Sequence, residues 1–231
     1  MKREYQGYPV VEGVGTGKIK ILDCSIPKFE IRKIEDSDRE LGRFVRALKT
    51  FCENTREEIK MIKENIGLNE SGILNSHIKM THDLALQSEL ITKISNGMCA
   101  EQATCEVCDQ YITRFLDADV DFVRQLALDV MDVRLGVLNI LLGIESIKVE
   151  EFGEDTIVLC EELPPSVVAR LDRVHTKGIA VNLGSSNSHC AKLASKMGIP
   201  SITGIEDIQS IAKDGEFAII DGNHGKLVIG D

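Results

Sequence analysis

Apolar residues along this chain change their period twice. Residues 1 to about 35 read as strands and turns: glycines stand at 7, 13, 15 and 17, and Lys18-Ile19-Lys20-Ile21-Leu22 alternates polar and apolar side chains. From Asp36 the spacing lengthens to three and four. Leu41, Phe44, Leu48, Phe51, Thr55, Ile59, Ile62 and Ile66 line one face, Ser37-Asp38-Arg39-Glu40 reads as a capping box in front of them, and Gly67 follows as the stop. That run predicts one amphipathic helix of roughly eight turns. Three more helices are predicted over 70–96, 100–117 and 121–142, the first closed by Gly97 and the last by Gly143. The last carries Val123, Leu126, Ala127, Val130, Val133, Val137, Leu138 and Leu141 on one side.

Past Gly143 strand and short-helix patterns alternate. Thr156–Cys160, Gly178–Leu183, Phe217–Asp221 and Lys226–Ile229 are strand candidates, with helices near 165–173, 188–197 and 207–212. The economical fold class is α/β: an α/β subdomain built from residues 1–35 plus 144–231, interrupted by an all-helical four-helix insertion over 36–143.

Composition narrows the setting. The chain has 231 residues, enough for one large or two small domains, and its 43% hydrophobic and 28% charged residues are ordinary for a globular protein. No apolar run approaches bilayer length and Met1-Lys2-Arg3-Glu4-Tyr5 is not followed by a signal-peptide core, so a cytoplasmic location is expected. Seven scattered cysteines, an odd number, fit reduced thiols better than a disulfide framework. Cys105 and Cys108 form a Cys-x-x-Cys pair, but inside a helical stretch and with no second pair at zinc spacing they read as two thiols on one helix face. A net charge of −10 argues against nucleic acid and suits a basic protein partner.

The candidate chemistry lies at Gly184-Ser185-Ser186-Asn187-Ser188-His189-Cys190-Ala191, where small polar residues carry the chain from a strand into a helix with a histidine in its first turn. Unpaired amides and the positive end of the dipole favour a phosphoryl group at such a place. The same field disfavours imidazolium and leaves a neutral ring with a nucleophilic nitrogen. The alternative reading is a histidine serving only as a polar residue at the helix start.

Four blocks in register resemble one family. Gly7-Tyr8-Pro9-Val10-Val11-Glu12-Gly13-Val14-Gly15-Thr16-Gly17-Lys18, Ile73-Leu74-Asn75-Ser76-His77-Ile78-Lys79-Met80-Thr81-His82-Asp83, Leu128-Asp129-Val130-Met131-Asp132-Val133, and Gly184 through Gly198-Ile199-Pro200 to Gly204 are similar to the N-terminal half of enzyme I of the bacterial phosphoenolpyruvate-dependent sugar phosphotransferase system. The resemblance implies a swivelling phosphohistidine subdomain and a helical subdomain that docks the carrier protein HPr. By position the active histidine is His189, with Ser188 and Ser186 as hydroxyl donors, and His77, Met80, Asp83 and Arg134 are the partner-binding candidates. It further implies that phosphoenolpyruvate and Mg²⁺ belong to a C-terminal barrel domain acting in cis or in trans, with no cofactor held by this chain and neither nucleic acid nor membrane among its partners.

The chain also departs from the family pattern. Ser185 and Asn187 replace a glycine and a threonine in the loop, and Ser195 stands where an arginine is common, with Lys192 and Lys196 nearby. Met131 takes an arginine position for which Arg134 is the nearest replacement, and Leu163-Pro164-Pro165-Ser166-Val167-Val168 ends in valine where the family has threonine. A non-catalytic HPr-binding module of the same fold, and the swivelling domain of a pyruvate phosphate dikinase-like enzyme, are the alternatives; the helical insertion argues against the second. His82 reads as an ordinary exposed helix residue, and His175 and His224 are assigned no role. Cys190 reads as small-side-chain packing at a helix start that favours thiolate, and Asp129 and Asp132 as solvated carboxylates or groups positioned near the active loop.

Overall fold

A computed structural model describes residues 2–65, 71–149 and 152–230. In chain order the elements are β1 (Arg3–Gln6), β2 (Tyr8–Val11), β3 (Val14–Leu22), α1 (Ser37–Asn65), α2 (Ser71–Thr81), α3 (Leu84–Ser95), α4 (Ala100–Leu116) and α5 (Asp121–Leu142). They continue with β4 (Thr156–Cys160), α6 (Pro165–Arg170), β5 (Thr176–Val181), α7 (His189–Met197), β6 (Ser201–Thr203), β7 (Phe217–Asp221) and β8 (Lys226–Ile229). Ile66 and Gly67, the expected end of the first helix, lie outside the described residues. The elements group into two units, Met1–Ser25 with Ile147–Asp231, and Ile26–Ser146.

The first unit is built on one sheet in the order β1-β8-β7-β3-β4-β5-β6-β2. Its centre, β3 to β6, is parallel, and the flanking pairs are antiparallel. β4 is buried at every residue, as a central parallel strand requires, which is why Thr156-Ile157-Val158-Leu159-Cys160 shows no alternation. Ile19, Ile157, Leu159, Ile202, Ile220 and Leu227 form its core. The glycines of β3 answer a packing demand: a Cβ on Gly15 would lie 1.8 Å from the Lys177 carbonyl oxygen, and one on Gly17 2.5 Å from that of Asp155. The helix expected over 207–212 is a series of turns, begun by Asp207 in the left-handed region at φ 53°.

The second unit is helical, and two of its details differ from the sequence expectation. α1 is capped by Asp36, whose Oδ1 accepts from the Arg39 amide at 2.9 Å, and not by a Ser37–Glu40 box. Glu40 is instead buried and accepts from Arg32 at 2.6 Å and from the Ala100 amide at the start of α4 at 2.9 Å, while Arg43 bridges it to Glu101. Burial pushes the Glu40 carboxyl up, but the Arg32 hydrogen bond, the Ala100 amide and the Arg43 charge outweigh it and hold it below the usual carboxylate range. The second difference is that the stretch expected as one helix over 70–96 is two. Asp83 caps α3 by accepting from the Leu86 amide at 2.9 Å. Leu74 and Ile78 before the break and Leu86, Leu90 and Ile94 after it fall on one four-residue repeat interrupted only at His82, so hydrophobic period does not register the break. The core gathers Phe44, Phe51, Leu90, Ile94, Val133 and Val137. Phe51 packs so tightly on α5 that a Cβ at Gly136 would come within 2.5 Å of its ring.

Candidate phosphohistidine loop

The chain leaves β5 at Val181 on the carboxyl side of the parallel strands, the side on which such sheets receive ligands. Neighbouring segments fix the loop that follows. The Leu183 amide donates to the Glu161 carbonyl at 2.8 Å and Asn182 Nδ2 to Glu161 Oε1 at 2.7 Å. From the end of β6, Thr203 Oγ1 donates to the carbonyls of Asn182 and Gly184 at 3.3 Å, and the Gly204 amide just past it donates to the Asn182 carbonyl at 3.0 Å. Gly184 turns the chain at φ +146°, a conformation that side-chain-bearing residues rarely adopt.

Ser185, Ser186 and Asn187 are exposed, and the Ser188 amide closes the turn by donating to the Ser185 carbonyl at 3.1 Å. Ser188 is the cap of α7: it is buried, extended at ψ 162°, and its Oγ accepts from the Ala191 amide at 3.2 Å. His189 is therefore the first helical residue, half-buried behind an exposed loop. Ala191, Leu193, Ala194 and Met197 bury the opposite face, and Gly198 ends the helix in the left-handed region at φ 69°. Cys190 Sγ donates to the Leu163 carbonyl at 2.7 Å, tying the first turn to the segment after β4. Of the three catalytic candidates, Ser186 presents a hydroxyl to solvent and Ser188 is committed to capping. Val168 in α6 is 1% exposed and carries no hydroxyl. Lys192 and Ser195 are exposed on α7.

The partner-binding candidates divide. Asp83 is exposed while its carboxylate caps α3, and Met80 is half-buried against the helical core. His77 and Arg134 do not reach the surface as expected: His77 is 1% exposed, and Arg134 is turned onto α4 in an ion pair with Asp109. His77 faces α5, with Nε2 3.5 Å from Asp129 Oδ1 and Nδ1 4.0 Å from Asp132 Oδ2. Asp129 and Asp132 are thus not solvated; both are buried in the helical unit, and Asp129 also accepts from Ser76 Oγ at 3.1 Å. Burial pushes the His77 imidazole down, but Asp129 and Asp132, with Glu58 of α1 adding to them, outweigh it and hold it above the ordinary histidine value.

The remaining histidines and thiols have local explanations. His175 and His224 sit with Nδ1 at 2.8 Å from Asp172 and 2.7 Å from Asp221. His82 is exposed. Burial pushes the Cys105 thiol up and that of Cys108 up to about 12, so neither is a ready thiolate. Among the described residues no group of three or more His, Cys, Asp or Glu is placed to hold a metal ion, and no helix is long and apolar enough to cross a membrane. The loop anchors Glu161, Thr203 and Gly204 escaped sequence reasoning, because their hydrogen bonds span about twenty residues and no local pattern announces them.

Two family models match the chain: "PEP-utilising enzyme, N-terminal" over residues 6–125 and "PEP-utilising enzyme, mobile domain" over residues 152–225. The phosphoenolpyruvate-protein phosphotransferase of Listeria monocytogenes is 30% identical over 99% of this chain, and that of Bacillus subtilis 29% identical over 98%. The chain spans 40% of the length of each. Among solved structures, an NMR solution structure of Enzyme I is similar with a TM-score of 0.77 at 23% identity, over 97% of this chain and 92% of that one. The N-terminal domain of Enzyme 1 - Nitrogen is similar with a TM-score of 0.65 at 21% identity, over 97% and 93%.

Proposed function

The chain belongs to the PEP-utilising enzyme family, and on that premise we propose that it relays a phosphoryl group on His189. The group comes from phosphoenolpyruvate through a C-terminal domain in cis or in trans, to which the Mg²⁺ also belongs, and passes to the histidine of HPr or an HPr-like carrier in the cytoplasm for sugar uptake. One observation carries the reading: His189 opens a capped helix directly behind an exposed, glycine-started loop on the carboxyl side of parallel strands. Phosphoryl transfer asks for in-line positioning and charge stabilisation more than for covalent chemistry. A ring nitrogen of His189 forms the new P–N bond as the donor's bond to phosphorus breaks. The positive end of α7 and the Ser186 hydroxyl meet the charge on the phosphoryl oxygens. Ser188 contributes as a positioning residue, because its cap fixes His189 as the first residue of the helix.

The carrier docks on the helical unit around the α2–α3 junction. Leu84, 82% exposed, and Asp83 stand there at the surface with Met80 beneath them, an acidic and apolar patch suited to a basic partner. His77 and Arg134 support this face from the interior. A second reading, a binding module that does not transfer, is favoured by the buried Val168, which offers no hydroxyl to orient the active imidazole. Radiolabelled phospho-HPr separates the two. Acid-labile, base-stable label that appears on the wild type and not on His189→Ala supports the relay; HPr binding without label supports the module, and neither binding nor label contradicts both.

A further inference from the structure

Two thiols of the α/β unit meet where the chain leaves β3. The parallel pairing of β3 with β4 sets Leu22 beside Cys160. Just beyond, Asp23 Oδ1 accepts from the Ser25 amide at 3.0 Å, and this turn folds Cys24 back over the end of β4. The Cys24 thiol and the Cys24 amide both hydrogen-bond to the Cys160 sulfur. Cys160 is fully buried, while Cys24 is partly open to solvent. The Cys24 thiol hydrogen bond, aided by backbone amides and opposed by burial, holds the Cys160 thiol below its ordinary value, the reverse of Cys108 in the helical unit.

We infer that Cys24 and Cys160 form an oxidisable dithiol, a modification site that hydrogen peroxide converts to an intramolecular disulfide. Peroxide enters at the accessible Cys24. The Cys24 thiol passes its proton to the Cys160 sulfur it already hydrogen-bonds, the Cys24 sulfur attacks one peroxide oxygen, the O–O bond breaks, hydroxide leaves and takes the proton back from Cys160 as water, and Cys24 becomes a sulfenic acid. The Cys160 thiolate then displaces hydroxide from that sulfur and the S–S bond forms. The two thiols lose two electrons and two protons, and the peroxide is reduced to two molecules of water. The bond closes a loop that contains the whole helical unit, Ile26–Ser146. It also pins the segment after β4, whose Glu161 and Leu163 hold Asn182 and Cys190 on either side of His189.

The test uses the full reduced chain, treated with a small excess of peroxide, quenched, and alkylated under denaturing conditions before peptide mapping without reductant. The expected result is a Cys24–Cys160 linked peptide, protection of two of the seven thiols, and full recovery of both by dithiothreitol. In Cys160→Ser, dimedone should capture a sulfenic acid on Cys24 and the link should be gone. Because Cys160 is buried and its variant can fail to fold, Cys24→Ser, at the more accessible site, provides a second test: the native circular dichroism spectrum with all six remaining thiols alkylated. Seven alkylatable thiols after peroxide treatment of the wild type, or a link joining Cys160 to any cysteine other than Cys24, overturns the inference.

Discussion

His77 and His189 each belong to a helix, one in each unit, and their surroundings are opposite. His77 lies in the middle of α2, 1% exposed, with Asp129 and Asp132 against its two ring nitrogens. His189 is the first residue of α7, half-buried, behind an exposed loop and a capping serine. A carboxylate on each side favours imidazolium, which has no lone pair to give to phosphorus. A helix start favours an anion beside the ring. The same side chain is thus held between two buried carboxylates in the helical unit and stands at the proposed phosphorylation site in the α/β unit, and sequence motif alone gives both the same look.

The largest effect expected is on His189. His189→Ala should abolish phosphoryl acceptance, a loss of at least about 10³-fold, while lowering unfolding free energy by about 1 kcal/mol or less, as a half-buried residue at a helix start allows. Quench-flow labelling and a urea titration read the two separately. His77→Ala should do the reverse: it leaves Asp129 and Asp132 buried without their cation and should cost about 3–5 kcal/mol. A His77→Ala variant that unfolds normally yet cannot be labelled would break the contrast.

The pH dependence sharpens it. The folded-state value of His77 is raised, so its stabilisation is complete below the unfolded value of about 6.5 and is lost as pH rises through the folded value. Melting midpoints of wild type should fall over that window relative to His77→Gln; a midpoint rising there would have the wrong sign. Gly184→Ala should cost about 1–3 kcal/mol, because alanine is strained at φ +146°, and should lower labelling along with stability. Ser188→Ala is the mildest, about 1 kcal/mol for a lost cap by chemical denaturation.

Much of this was legible in the sequence because it is local. The glycines of β3, the helical periods of α1, α4 and α5, and the small-residue entry to α7 are each written in a short window. The Ser188 cap followed by His189 is of the same kind. What escaped is set by partners distant along the chain. Asp83 breaks a helix while Leu86 stays in phase with Ile78, two four-residue steps on. Glu40 looks like half of a capping box until Arg32, Arg43 and Glu101 claim it. His77 has the sequence context of a docking residue, and only the packing of α2 on α5 turns it inward onto two aspartates. Cys24 and Cys160 are separated by the entire helical unit, so no spacing rule connects them.

The proposed division, structural work at His77 and chemical work at His189, is open to direct measurement. Long-range ¹H–¹⁵N NMR of the five imidazoles, recorded before and after incubation with phospho-HPr, tests it directly. The account predicts that His189 alone acquires the ring-nitrogen shifts of a phosphohistidine, while His77 keeps an imidazolium pattern throughout. Phosphate on His77, or a His77 ring that is neutral at neutral pH while His189 stays unmodified, would contradict it.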